Sequence, residues 1–290
     1  MNRILKDIRY RIEYAGFRFV AFVFGALPLE TASAFSGCIW ARLAPWTGRH
    51  PRALEQLRLA MPNLSLAERE AIARNMWNTM GRTFAEFFHL DEIAASGRVT
   101  LDDSAGALAQ AAAAGGFVVG AAHQGNWEIA VLSLRSVPKQ VSGPYQRIKN
   151  PYVDRYVRDQ RAPHYSGALF EKQNASGLKL VRHLRQGQIV TILADQRDNH
   201  GALVPFFGRN APSTPFPALL ARNVGVPLLA GLVERLPNVR FRVRIAHIDV
   251  PQTQDKAADI LQATANLHAA LEASIRERPE QWMWAHRRWG

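Results

Sequence analysis

Two short, largely apolar runs, Phe117 to Ala122 and Gln188 to Leu193, each give way within two residues to a polar stretch. Runs of this length, continuous rather than alternating and set between helical segments, read as buried strands of an α/β domain. Ligands in open α/β sheets sit beyond the strand ends. That rule directs attention to His123, which follows the first run, and to Ala194-Asp195-Gln196-Arg197-Asp198, which follows the second.

The first of these positions opens His123-Gln124-Gly125-Asn126-Trp127-Glu128, and Ile129 to Leu134 then continues as an apolar-periodic segment. The order is strand, tight turn, helix. Residues five apart lie about 140° apart on an ideal helix, so His123 and Glu128 converge only if the histidine precedes the helix. Gly125 permits the bend, Asn126 suits an N-cap, and a glutamate in the first turn suits the helix dipole. A histidine with a carboxylate beside it is the arrangement of a general base and its orienting partner. The same spacing also arises where the histidine is only a hydrogen-bonded loop residue.

Elsewhere the pattern is that of a folded α/β chain. Ser65-x-x-Glu68 predicts a capping box, followed by Ile72, Met76, Met80, Phe84 and Phe87 at helical spacing. Leu178 to Arg185 reads as a helix. Val226 to Val233 and Val239 to Ile248 read as a hairpin turning near Leu236-Pro237-Asn238. In its second strand Phe241, Val243 and Ile245 alternate with Arg240, Arg242 and Arg244, giving one apolar and one basic face. Ile260, Ala263, Leu267, Leu271 and Ile275 mark a helix packed on the sheet.

The chain has 290 residues and a formal net charge of +12. Such a surplus favours an anionic membrane, nucleic acid or an acidic protein or ligand. A single cysteine, Cys38, excludes an intramolecular disulfide and any multi-cysteine zinc site, and neither HExxH nor a Walker A sequence is present. Near the start, Arg3, Lys6, Arg9 and Arg11 lie among apolar residues, and Phe19 to Leu27 is continuously apolar. Nine residues cannot cross a bilayer, which takes about 20. A cleaved signal ending near Ala32-Ser33-Ala34 and a buried helical hairpin are alternatives. A retained, membrane-seated segment with its basic flank on the cytoplasmic side is the reading we adopt. The expected organisation is therefore an N-terminal membrane-associated helical segment, residues 1–46, and an α/β domain, residues 47–290, with a mixed central sheet flanked by helices.

Four further segments are rich in polar groups: Tyr145-Gln146-Arg147-Ile148-Lys149-Asn150-Pro151 with Arg161 beyond it; Asp195-Gln196; Val204-Pro205-Phe206-Phe207-Gly208 with Thr214; and Pro279-Glu280-Gln281-Trp282-Met283-Trp284-Ala285-His286-Arg287-Arg288. With His123 to Glu128, and in this order, they resemble the blocks of the bacterial lipid A late acyltransferases, in the lysophospholipid acyltransferase superfamily. The resemblance spans roughly residues 10 to 290. Gln146 stands where the family often has arginine, and Arg147 comes one position later.

The resemblance implies a glycerolipid-acyltransferase-like fold. It also implies transfer of an acyl chain from acyl carrier protein to a hydroxyl of a lipid A precursor, at the cytoplasmic face of the inner membrane. His123 would be the base and Glu128 its orienting partner. No metal or other cofactor is expected; the acyl carrier protein thioester is a co-substrate. Gly125, Asn126, Tyr145, Arg147, Asn150, Arg161, Asp195, Gln196, Arg287 and Arg288 are the expected substrate-binding residues, with the arginines matched to phosphate oxygens, and the oxyanion is left to backbone amides near Gly125 or to an arginine. The partners implied are acyl carrier protein, the anionic acceptor and the inner membrane. Rival readings are an acyltransferase using another lipid acceptor, a basic nucleic-acid-binding protein, for which no recognised motif is present, and a catalytically idle membrane scaffold.

Overall fold

The structure, a computed structural model, describes residues 3–172 and 176–290. The first two residues of the expected N-terminal segment lie outside it. Eleven α-helices are described: α1 (Arg3–Ala26), α2 (Leu29–Leu43), α3 (Arg49–Ala60), α4 (Leu66–Glu86), α5 (Leu90–Ala95), α6 (Ala107–Ala114), α7 (Ile129–Leu132), α8 (Pro151–Arg161), α9 (Ser176–Arg185), α10 (Phe216–Val224) and α11 (Lys256–Glu277). The strands are β1 (Val99–Asp102), β2 (Phe117–Ala121), β3 (Val141–Tyr145), β4 (Leu169–Glu171), β5 (Ile189–Leu193), β6 (Arg197–Phe206), β7 (Arg209–Ser213), β8 (Leu228–Leu236) and β9 (Arg240–Ile248).

Seven strands form one sheet in the order β1-β9-β8-β2-β5-β3-β4, and β6 and β7 pair separately as a hairpin. All neighbours in the large sheet are parallel except β8 and β9, so the sheet is mixed, as expected. β2 is buried along its whole length. Phe117 and Val119 enter one apolar core with α6 and β9, while Val118 enters the other with α3, α4, α9, α10 and α11. This explains the uninterrupted apolar run: a strand covered on both faces has no polar side to show. Gly120 completes the fit, because a Cβ there would lie 2.6 Å from Leu267 of α11.

The hairpin of β8 and β9 pairs Leu228 with Ile248 and Leu236 with Arg240. Asn238 and Val239 take positive φ in its turn. Its basic face is largely paired: Arg242 faces Glu234 at 3.7 Å and Arg244 reaches Glu277 at 2.6 Å. The capping box is present, with Glu68 N–H donating to the Ser65 hydroxyl and Ser65 N–H donating to the Glu68 carboxylate.

No helix of the described residues is long and apolar enough to cross a membrane. α1 lies against α8, where Phe17 meets Tyr156 edge-on and Tyr14 packs beside Tyr152. α2 packs on α4 through small residues: Ser36 donates to the Gly81 carbonyl, and a Cβ on Gly81 would come within 2.6 Å of the Ser36 carbonyl. Ser33 donates to Glu86 at 2.7 Å.

Candidate active site

β2 and β5 are parallel neighbours in register, with Ala121 opposite Leu193, and Ala194 N–H still donates to the Ala121 carbonyl at 2.8 Å. Two residues beyond these strand ends stand His123 and Asp195. His123 Nδ1 lies 2.8 Å from Asp195 Oδ1, and His123 N–H donates to Oδ2 at 2.9 Å. The Trp282 indole N–H donates to the same Oδ2 at 2.7 Å. Asp195 is fully buried. Burial alone would raise its pKa, but the His123 charge and these hydrogen bonds overturn that and hold the carboxyl at about 2. Asp195 is therefore a carboxylate near neutral pH, and it fixes the proton on Nδ1. Nε2 is left as the basic nitrogen.

The imidazole is partly open to solvent. The His123 side chain retains 16% exposure, its ring lies 5.2 Å from the Trp127 ring, and the Gln196 amide stands 3.3 Å from Nε2. The C-terminal segment clamps the loop from behind: Gly125 N–H donates to the Gln281 carbonyl, and Met283 N–H donates to the His123 carbonyl. His286 Nε2 accepts from Arg197 N–H at 3.1 Å. Gly125 has φ of +62°, and a Cβ there would meet the Val233 carbonyl at 2.9 Å, so only glycine turns the chain here without a clash.

Several expected assignments change on this geometry. Glu128 does not orient His123. Its carboxylate receives two hydrogen bonds from Arg161, one of them Nε to Oε2 at 2.9 Å, and a third from the Trp127 indole at 3.0 Å. The turn at Gly125 points Glu128 toward the end of α8, while the adjacent strand already supplies a carboxylate to the imidazole. Arg161 is correspondingly occupied, bidentate on Glu128 and 5.6 Å from the centre of the Phe87 ring, and is not a free phosphate ligand. Asp195 is the histidine's partner rather than a substrate contact, since burial removes it from any substrate.

Asn126 and Asn150 are structural. Asn126 is fully buried, donates to Glu86 at 2.9 Å and accepts from Glu128 N–H. Asn150 caps α8 and donates to the Tyr10 carbonyl and Glu13 of α1. The Gly125 amide is taken by Gln281, so it is not a free oxyanion donor. Arg288 is fully buried, donating to the Pro212 carbonyl and to Ser213, with its guanidinium 5.0 Å from the centre of the Phe206 ring. Burial lowers its pKa to about 10, and it serves to lock the tail onto the β6–β7 hairpin. Arg287 is exposed. Tyr145 ends β3, the neighbour of β5, and so lies at the same sheet edge as Asp195. Arg147 is exposed, 3.8 Å from Glu171. Gln196 stands beside His123 Nε2.

Three residues escaped the sequence reading. Trp282 looks like an apolar anchor, yet its indole N–H is a ligand of the Asp195 carboxylate. Glu86 and Arg235 form a buried pair, with both nitrogens of the guanidinium fork 2.6 Å from the carboxylate. A charged residue on the apolar side of a helix was the available signal for Glu86.

Two expected outcomes follow here. Glu128→Gln should leave Arg161 short of a charge partner and lower stability by about 1–3 kcal/mol, with turnover falling far less than on changing Asp195. Abolished turnover with an unchanged melting temperature would instead assign Glu128 to the histidine. His268 of α11 is fully buried, edge-on to Phe206, and held down to about 4 by burial and then by Arg288. The unfolded chain protonates first, near 6.5. This histidine's contribution is therefore complete above about pH 6.5 and is lost as pH falls toward 4. Melting curves from pH 7 to 4.5 should fall more steeply for the wild type than for His268→Gln; parallel curves would contradict this.

The family model described as bacterial lipid A biosynthesis acyltransferase matches residues 3–290. No individual curated protein matches alongside it.

Proposed function

This chain belongs to the bacterial lipid A biosynthesis acyltransferase family, and from that premise we propose that it moves a fatty acyl chain from an acyl carrier protein thioester to a hydroxyl of a lipid A precursor, with His123 as general base. Family membership makes it an acyltransferase of lipid A biosynthesis whose acceptor is a lipid A precursor. The observation that carries the mechanism is the His123 Nδ1 to Asp195 hydrogen bond of 2.8 Å, which leaves the Nε2 lone pair, 3.3 Å from the Gln196 amide, to accept a proton.

As the acceptor oxygen attacks the thioester carbonyl, Nε2 takes the hydroxyl proton. Asp195 stabilises the resulting imidazolium without itself taking the proton. The tetrahedral intermediate collapses with cleavage of the carbon–sulfur bond, and the imidazolium returns the proton to the departing thiolate. No covalent intermediate on the protein is needed. The Gln196 amide, 3.3 Å from Nε2, gives way to the arriving hydroxyl and is the polar group at hand to hold it. The decisive assay incubates purified protein with an acyl carrier protein thioester and a lipid A precursor, and weighs the product lipid. A gain of one acyl chain is expected. Acylation of a lysophospholipid or ornithine lipid in preference would move the proposal to that acceptor.

The cytoplasmic face of the inner membrane is the proposed location, and α1 supplies the support. Ile4, Leu5, Ile8, Ile12, Phe19 and Phe22 are exposed, and at 100° per residue they share an arc of about 100°. Arg9 borders one edge of this stripe and Arg11 and Arg18 the other, while the opposite face packs on α8. Such a helix lies in the plane of a membrane surface with its apolar side down. The net charge of +12 suits an anionic leaflet as well as an acidic carrier protein. Phe19→Asp with Phe22→Asp should shift the protein from the membrane to the soluble fraction. Undiminished membrane recovery of this double variant would contradict the assignment.

A further inference from the structure

A second concave surface lies outside the catalytic pair. A groove of about 680 Å³ runs between α2, the turn that follows it, α3 and α4. Its apolar wall is Ile39, Trp40, Leu43 and Ala44 of α2 and that turn, with Trp77 of α4 opposite. The wall is stiff: Trp77 is almost wholly buried and its indole donates to His50 Nδ1, while His50 Nε2 meets Glu70 at 3.0 Å. Arg49 and Arg52 stand on one rim. Both are exposed, and no ion pair with a described carboxylate is formed by either. The N-terminus of α3 opens on the same rim at Thr47 and Gly48, which adds positive potential.

The groove also adjoins the reacting centre. Burial presses the pKa of His286 downward, Asp195 opposes this, and the charges of His123, Arg288 and Arg52 add to the lowering. His286 in turn holds the backbone of Arg197, one residue after Gln196. Farther along α3, Gln56 accepts from the backbone amides of Arg288 and Trp289. α3, which carries the arginine rim, is thus tied through the C-terminal segment to the residue next to Gln196, which contacts Nε2.

An apolar trough with two unengaged guanidinium groups at its rim is complementary to one chemistry, an alkyl chain ending near a phosphate. We propose that the groove seats an acyl chain of the anionic lipid acceptor, with Arg49 and Arg52 receiving its phosphate. This rests on the acyl-transfer reading for the identity of the lipid, but the site's ligand chemistry can be tested without turnover.

The probe is dodecyl phosphate below its micellar concentration, titrated calorimetrically into the full chain, with inorganic phosphate and dodecyl maltoside as comparisons. Dodecyl phosphate should bind most tightly. Arg49→Ala with Arg52→Ala should weaken it roughly tenfold or more, and Ala44→Trp should block it by filling the trough. The double arginine variant, whose exposed positions leave the core intact, should also raise the KM for the lipid acceptor. Equal binding of inorganic phosphate would reduce the site to an anion patch and overturn the proposal, as would equal binding of dodecyl maltoside. So would dodecyl phosphate binding indifferent to the arginine variant, or a dimer that Ala44→Trp dissociates, which would make a second copy the occupant. Dodecyl phosphate binding in a protein that transfers no acyl chain would retain the groove and remove the proposed reaction. Transfer with an unaltered KM in the arginine variant would do the reverse.

Discussion

Asp195→Asn should lower turnover on the order of 10³–10⁴-fold while leaving the protein folded, a magnitude taken from the equivalent carboxylate in a serine protease triad. The carboxylate Oδ2 accepts two hydrogen bonds, from His123 N–H and the Trp282 indole, and Oδ1 faces His123 Nδ1. Asparagine has only one acceptor oxygen. Two donors fix that oxygen on the Oδ2 side, which turns the amide NH₂ toward Nδ1. Nδ1 must then accept, the ring proton moves to Nε2, and the base is lost. Steady-state turnover with a melting curve on the same preparation tests this. A variant with more than about a tenth of wild-type turnover would show that the carboxylate does not set the tautomer, on the scale a base typically contributes.

The largest effect on stability is expected at Glu86. Its carboxylate is fully buried and receives both arms of Arg235 together with Ser33 and Asn126. Burial opposes its charge, yet Arg235 and the hydrogen bonds keep its pKa below the usual glutamate value. Four elements meet at this one group: α2, α4, β8 and the loop that carries His123. Glu86→Ala would leave the largely buried Arg235 guanidinium without a counter-charge, held only by the Thr83 hydroxyl and the Phe241 ring, and about 3–5 kcal/mol of stability should be lost. Replacing Glu86 and Arg235 together by methionine should recover much of that loss, since no uncompensated charge remains. Denaturant titration of the three proteins decides it. A cost under about 1 kcal/mol for Glu86→Ala would contradict the role assigned to the pair.

What the sequence revealed depended on how far apart the interacting groups lie. The buried strands β2 and β5, the Ser65–Glu68 capping box and the β8–β9 hairpin are local patterns, and each forms where its periodicity and turn residues predict. His123 was legible because a polar residue ends an apolar strand. Its partner was not, because Glu128 is close in sequence whereas Asp195 is close only through the parallel register of β2 and β5. Asp195 occupied the matching position after the second buried run, and that symmetry was the overlooked clue. Arg288 and Asn150 failed for a related reason. An arginine near a chain end suggests solvent or a ligand until the β6–β7 hairpin closes over it, and the partners of Asn150 on α1 lie some 140 positions earlier. In the sequence the N-terminal segment reads as apolar with a basic flank. Which of its faces packs on α8 is a property of the assembled fold.

The most direct test of the central claim is acyl transfer by purified His123→Ala, assayed with the thioester donor and lipid A precursor alongside its thermal melt. The Asp195–His123 arrangement predicts a loss of at least about 10²-fold, the lower bound for a general base, with a melting temperature close to that of the wild type. Near-wild-type turnover in this variant would contradict the assignment of His123 as the base.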